Sequence, residues 1–303
     1  MNTTIRVQVL MSTFNGETYL REQLDSIIKQ KNISVHLLIR DDGSTDNTCA
    51  IIAEYQTKYA NIELMKGENF GFKESFKLLL EASGDFDYFA FADQDDVWMD
   101  MKLDVAVSKL QTSDSNTAEM YYSNLTIVDS RLNYLSLLHS KKRIFPLNQT
   151  MALVLGFAHG CTMVFNTTLR NQILKYDYPA NYSHDFWIPL IGFLLGKVTY
   201  DNDSYIMYRQ HSENIYGGVR RKVWAQYKSA SENGNDFYNG LANNLLKGYS
   251  AYLNTEMAKV LNDIITYKKN IFSKLRLLMN HNLRRSTLKG TLYLRYMILV
   301  SKF

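Results

Sequence analysis

Short apolar runs alternate with helically spaced apolar positions through the first hundred residues. Residues 7–11 form an apolar run broken only by Gln8, and Ser12-Thr13-Phe14-Asn15-Gly16 follows as a cluster of loop-forming and capping types. The pattern predicts a strand and then a loop. From Thr18 the positions Leu20, Leu24, Ile27 and Ile28 keep helical spacing, and 35–39 is a second run that ends at Arg40-Asp41-Asp42-Gly43. Ser44-Thr45-Asp46 supplies a cap for a helix over 48–59; residues 62–65 read as a third strand, 72–82 as another helix and 88–92 as a fourth strand. This order predicts an α/β fold, with a mixed, mostly parallel sheet flanked by helices and ligands gathered where the strands end. Those ends carry Thr13, Asp42 and Asp93.

The second half is less regular. Residues 121–125 and 161–165 read as strands, 186–195 as a helix, and 197–200 and 205–208 as two more strands, with mixed pairing expected at one sheet edge. After Gly217-Gly218 the character changes, because 219–267 and 272–303 hold no proline and keep long helix-compatible apolar spacing. A boundary is expected there, with 1–218 as the α/β domain and 219–303 as a helical, basic C-terminal region.

Composition narrows the class. With 46% hydrophobic and 21% charged residues the chain reads as ordered and globular, and its 303 residues suit one or two domains. Cys49 and Cys161 are the only cysteines, and no charged-then-apolar leader opens the chain at Met1, so a reducing cytosol is the expected compartment. The longest apolar run, 151–157, is too short to span a bilayer. The net charge of +4 is unevenly placed: nine Lys and Arg fall after residue 267 with no Asp or Glu among them, which leaves −5 on the rest. That basic tail lacks a recognised nucleic-acid module, and no nucleic-acid partner is expected. Its leucines and cations together suit the surface of an anionic membrane; the alternative is that the leucines pack on the catalytic domain or on a second subunit, as in a homodimer.

Two acidic turns carry the candidate chemistry. Asp93-Gln94-Asp95-Asp96 crowds three carboxylates at a strand end, where hard oxygen ligands suit Mn²⁺ or Mg²⁺ and leave room for phosphate oxygens; the alternative is that these acids cap a helix starting near Val97. Asp41-Asp42-Gly43-Ser44 ends an earlier strand, where a carboxylate can accept the imide N–H of a pyrimidine or simply cap a turn. Thirteen per cent aromatic residues offer stacking partners for a sugar at Trp98 and Trp187, or simply core.

Ser12-Thr13-Phe14-Asn15-Gly16, Asp41-Asp42-Gly43-Ser44 and Asp93-Gln94-Asp95-Asp96, in this order, resemble the motifs of family 2 glycosyltransferases, which have the GT-A fold. The resemblance implies that Ser12, Phe14 and Asn15 border the nucleotide, that Asp42 binds the base, that Asp93 lies at the ribose and metal, and that Asp95 is the principal metal ligand. Asn69-Phe70-Gly71 resembles a donor-side Asn-x-Gly segment, although many members carry Arg where this chain has Phe76. Gly156-Phe157-Ala158-His159-Gly160-Cys161 resembles the acceptor-side loop, in which Gly160 would let a sugar approach the backbone. His184-Asp185-Phe186-Trp187 resembles the segment that supplies the base, implying Asp185 as base with His184, Trp187 and Trp98 toward the acceptor; taken alone, Asp185 reads as a helix cap. Tyr208-Arg209-Gln210-His211 resembles the late Arg-x-His element, implying Arg209 on the diphosphate and His211 at the metal.

These segments are most similar to the rhamnosyltransferase-like branch that builds bacterial surface polysaccharides. The implied activity is inverting transfer from a nucleoside-diphosphate sugar, dTDP-rhamnose in the favoured form, to a glycan acceptor that is lipid-linked. A UDP-hexose or UDP-N-acetylhexosamine enzyme of the same fold is the first alternative, and a nucleotide-sugar or glycan-binding protein that keeps the fold without turnover is the alternative of another class. The implied location is cytoplasmic, peripheral on the inner face of the membrane.

Overall fold

The computed structural model describes residues 4–111, 116–139, 146, 148–176, 178–179, 181–211 and 237–303. The chain divides into two compact units, one of 1–142 with 158–211 and one of 143–157 with 212–303. Gly217-Gly218, where the sequence pattern changes, and the segment 219–236 lie outside the described residues.

In the first unit, β1 (Arg6–Thr13) is buried continuously from Val7 to Met11, as an inner parallel strand covered on both faces must be. The polar exception, Gln8, is satisfied because its Oε1 accepts a 2.9 Å bond from Gly84 N. β1 pairs in parallel with β2 (Ser34–Asp41) and β4 (Tyr88–Ala92), and β2 with β3 (Ile62–Lys66). Helices α1 (Leu20–Ile28), α2 (Thr48–Lys58) and α3 (Phe72–Glu81) make the crossovers. The sheet continues through β8 (Val164–Asn166), β6 (Glu119–Val128), β9 (Lys197–Arg209) and β5 (Val97–Trp98), giving the order β3-β2-β1-β4-β8-β6-β9-β5; β7 (Tyr134–Leu137) pairs β6 off this path. The chain runs outward from β1 to β3 and then returns to place β4 on the other side of β1. The strand order reverses between β1 and β4, and in such sheets ligands usually bind beyond the carboxyl ends of the strands at such a switch point.

Three local expectations are corrected. No helix begins near Val97; Val97 and Trp98 pair with Met207 and Ile206 of β9, Trp98 N donates to Ser26 Oγ, and α4 (Lys102–Leu110) starts only afterwards. Residues 161–165 are not one strand, because Thr162 N and Met163 N close a 3-10 turn over Gly160–Thr162 by donating to His159 O and Gly160 O. Residues 197–200 and 205–208 are one strand, β9, carried alongside β6 with register shifts between Asp201 and Met207 where the chain turns polar.

Helices α6 (Thr167–Leu174) and α7 (His184–Leu195) complete the unit. Ser183, not Asp185, precedes α7 as its cap residue, and Asp185 sits in the first turn. Between α7 and β9, Gly196 is required: a Cβ there would lie 1.9 Å from Ala118 O, the carbonyl that accepts from Lys197 N.

The second unit holds α5 (Gln149–Ala152), a helix over 237–249 (α8), α9 (Thr255–Thr266), α10 (Ile271–Met279) and α11 (Leu288–Leu299). The apolar pattern would allow longer helices, and side-chain caps set the starts of the last three. Asn254, Asn270 and Thr287 accept from the backbone N of Met257, Phe272 and Gly290, at 2.7, 2.9 and 3.0 Å. Leu261, Ile264, Leu277, Leu294 and Ile298 are buried in this unit.

Replacing Gly196 with Ala forces a backbone shift at the α7–β9 junction. Urea unfolding should show a loss of about 2 kcal/mol or more, and an unchanged midpoint would mean that the junction yields freely.

Candidate active site

The loops that leave β1, β2 and β4 are tied to one another by side-chain to backbone bonds. Phe14 N donates to Gln94 Oε1 at 2.8 Å and Gln94 Nε2 donates to Phe14 O at 3.0 Å, so the acidic turn and the first loop are locked as a reciprocal pair. Gly16 leaves room for that amide, since a Cβ there would come within 2.4 Å of Gln94 Oε1. Asn15 adopts the left-handed conformation, φ 48°, and its Oδ1 accepts from Thr45 N at 2.9 Å. Ser44 Oγ in turn accepts from Asn15 N. Ser12 Oγ donates to Ser75 Oγ at 2.7 Å, while Phe14 stays 43% exposed, with a ring face available.

The two acids after β2 divide the work. Asp41 braces the turn by accepting from Ser44 N, Ser44 Oγ and Thr13 Oγ1. Asp42 is buried against the Arg40 guanidinium; its Oδ1 also accepts from Phe70 N and its Oδ2 from Gly71 N at 2.8 Å. A carboxylate offers about four acceptor sites, and these contacts occupy three of those on Asp42. Asn69 Oδ1 accepts from Gly71 N at 3.1 Å, shaping this segment from within. Gly71, with φ +81°, takes a conformation that few other residues tolerate.

After β4 the carboxylates differ in setting. Asp93 and Asp95 are half-buried and Asp96 is fully buried. Burial, then the charges of Asp95 and Asp185, push the Asp93 pKa up to about 7. Burial and Asp95 likewise hold Asp96 well above the usual carboxylate range. Asp95 Oδ2 lies 2.8 Å from His211 Nε2. Ligand atoms of Asp93, Asp96 and Cys161 lie within 4.8 Å of one another, a second grouping that motif reading did not suggest. Crowded oxygen donors with raised proton affinity fit a hard divalent cation.

Several residues take other places than those expected of them. Arg209 is 1% exposed: its Nε donates to Asp95 O at 2.8 Å, Nη1 to Ser130 O at 2.7 Å and Nη2 to the Glu22 carboxylate, and its guanidinium lies over the Tyr19 ring. Its donors hold the acidic turn in place, which removes it from the diphosphate contact expected of it. Trp98 and Trp187 are core residues, 2% and 0% exposed; Trp187 stacks on Tyr182, and the Lys102 ammonium lies 3.6 Å from the Trp98 ring centroid. Neither ring offers a face to a sugar. His184 is wedged against Phe76 and Phe91, with centroids 3.9 and 4.8 Å away, and burial pulls its pKa down to about 4. Gly160 makes room for that imidazole: a Cβ would meet His184 Nε2 at 2.0 Å, so the glycine serves packing rather than sugar approach. Asp185 remains half-buried, accepts from Ser183 Oγ, and acts electrostatically on Asp93.

Gln94, Tyr19 and Glu22 were missed by motif reading. For Gln94 a signal existed, since Gly16 and Gln94 are a small-for-large pair, but only the fold brings them together.

A family model described as glycosyl transferase family 2 matches residues 8–174. Over 120 residues, 38% of this chain, the sequence is 39% identical to a dTDP-rhamnosyl transferase, RfbG, of Shigella flexneri; the match spans 40% of that relative's length. An uncharacterised glycosyltransferase of Rickettsia prowazekii is 24% identical over 88% of this chain and 81% of its own. Among solved structures, Staphylococcus aureus TarS 1-349 in complex with UDP-GlcNAc superposes with TM-score 0.62 at 17% identity, over 94% of this chain and 77% of that one. Mannosyltransferase PcManGT of Pyrobaculum calidifontis, in complex with GDP-Man and Mn²⁺, gives 0.52 at 14% identity over 100% and 82%. At these identities the likeness is one of fold, the GT-A architecture with helices after it.

Because Asp93 holds its proton to higher pH in the folded protein than its ordinary value near 4 allows, its favourable contribution in the metal-free protein is present in acid and lost as pH rises from about 4 through about 7. A cation needs the ionised form. The melting-temperature gain from Mn²⁺ should therefore be small near pH 5.5 and grow toward about pH 8; a gain that is flat with pH, measured on chelator-stripped protein, would refute this linkage.

Proposed function

Because the chain belongs to glycosyl transferase family 2, we propose that it transfers a sugar, rhamnose from dTDP-rhamnose, to a lipid-linked glycan acceptor with inversion at the anomeric carbon. The observation that carries this reading is the carboxylate cluster beyond β4, where ligand oxygens of Asp93 and Asp96 lie within 4.8 Å of each other and Asp95 Oδ2 lies 2.8 Å from His211 Nε2. The rhamnosyl donor is supported by the matched stretch of the Shigella flexneri relative, which spans less than half of either chain. UDP-GlcNAc in TarS supports the alternative, a UDP-hexose or UDP-N-acetylhexosamine donor.

In this reading Phe14 offers its exposed ring to the base, and Asp42 Oδ2 accepts the imide N–H with its remaining lone pair. Ser12, Asn15 and Asn69 act by shaping the two donor-side loops around it. Mn²⁺ or Mg²⁺ would be held by Asp93 and Asp95, with His211 beside Asp95, and when bound would neutralise the departing diphosphate. Asp185 takes the proton of the attacking acceptor hydroxyl as the new C–O bond forms on the face opposite the leaving group. The C–O bond to the diphosphate breaks and its electron pair leaves with the phosphate oxygen. Ser183 Oγ, donating to the Asp185 carboxylate, orients the base before attack. The lipid-linked acceptor is the part of the reading that implies work at the inner membrane surface.

Asp185→Asn should keep donor affinity by titration calorimetry while transfer to prenyl-diphosphate-linked saccharides falls roughly 10²-fold or more; near-normal turnover would move the base elsewhere. Asp95→Ala should still unfold cooperatively and lose the Mn²⁺-dependent part of donor affinity, since it removes one hard oxygen ligand together with the His211 contact. Tight donor binding by the native protein, without turnover on dTDP-rhamnose, UDP-glucose or UDP-GlcNAc, would favour a non-catalytic sugar-binding protein.

A further inference from the structure

The last two helices bury one stripe and leave another bare. In α10 the side chains of Ser273 and Leu277 are buried, and in α11 those of Leu294 and Ile298. Phe272, Leu275, Met279, Leu288, Leu292 and Leu299 are exposed, Met279 and Leu288 to 73% and 76%. They fall three, four or seven residues apart, the spacing of a second helical face. The two helices pack together: Arg295 donates to Leu277 O and Asn280 O, and Lys274 Nζ donates to Leu299 O and, at 2.7 Å, to Ser301 Oγ.

The charge around these stripes has one sign. No Asp or Glu occurs from residue 268 to 303. Arg276 is forked onto Asp263 and Arg295 is engaged with carbonyls, but Lys268, Lys269, Arg284, Lys289 and Lys302 are exposed. Exposed apolar side chains at this spacing, flanked by cations, are the mark of an interaction surface. We propose that the outward faces of α10 and α11 dock on an anionic lipid bilayer, with the apolar side chains entering the headgroup boundary and the lysines meeting lipid phosphates. A second copy of the chain is the poorer occupant, because a symmetric contact would set cation against cation with no acid in the segment to pair them. No helix among the described residues is long and apolar enough to cross a membrane, so the contact is interfacial. The proposal gives a place to the lipid-linked acceptor of the preceding section, yet its test needs neither donor nor acceptor.

Full-length protein should float in a density gradient with vesicles of phosphatidylcholine containing about 30% phosphatidylglycerol, and about tenfold less with pure phosphatidylcholine. High salt should weaken the contact. Phe272→Ser/Leu288→Ser/Leu292→Ser should lower the bound fraction about tenfold with an unchanged melting curve, since these side chains are exposed. Three outcomes overturn the proposal: full-length protein left unbound by the anionic vesicles at low salt; equal flotation of the triple variant; or a light-scattering dimer that the triple variant dissolves while vesicle binding is absent. Because transfer and donor binding are assayed separately, failure here leaves the glycosyltransferase reading standing, and the converse holds.

Discussion

Three carboxylates within four residues repel one another, and the acidic turn after β4 keeps its shape because neighbours hold it from several sides. Arg209 N donates to Asp96, Arg209 Nε to the carbonyl of Asp95, His211 lies on the Asp95 carboxylate, and Gln94 is paired with the backbone of Phe14. Three of these four contacts come from Arg209 and His211, at and just beyond the end of β9 and more than a hundred residues away in sequence. The long register of β9 along β6 therefore belongs to the site as much as to the sheet, since it delivers Arg209 and His211 together. A buried guanidinium with its donors bound to protein is costly to disturb, because each broken contact leaves a desolvated donor behind.

The parallel half of the sheet was legible because burial on both faces writes itself as apolar runs, and crossover helices write themselves at a period near 3.6. The positions of the acidic turns were legible too, since Asp41-Asp42 falls at the end of β2 and Asp93-Gln94-Asp95-Asp96 directly after β4. What misled was the assumption that polar or aromatic residues within a motif face the ligand. Trp98, Trp187 and His184 share motifs with Asp95, Asp96 and Asp185 but point into the core, and Arg209 points at the loop rather than into the cleft. Local sequence fixes neighbours along the chain, whereas side-chain direction depends on which strand pairs beside it. The pairing of Val97 and Trp98 with β9 is an instance, for it turns an expected helix start into a ladder that faces Trp98 inward.

Helix boundaries in the last segment were hidden for a related reason. No proline marks the breaks, and the apolar spacing runs on beyond them. The stops are made by Asn254, Asn270 and Thr287, whose short side chains satisfy orphan amide groups at each new start. Asparagine is common enough in polar stretches that its capping role emerges only when the geometry is seen. Each cap lets the chain change direction without leaving a buried donor unmet, which is how three short helices can share one core.

That same segmentation explains why the C-terminal region is both structural and apolar outside. A single long amphipathic helix has one apolar face, and packing that face on a domain leaves the other polar. Here the faces of α10 and α11 that meet neighbours are occupied by Leu277, Leu294 and Ile298, so Leu275, Leu288 and Leu292 are surplus to the core. A surplus of this size on the outside exposes apolar area to water, a cost that burial elsewhere would recover. Lysine and arginine surround it, and no Asp or Glu occurs from residue 268 to 303. Stability alone accounts for the buried half of these leucines; the exposed half is what the proposed contact with an anionic lipid surface would cover.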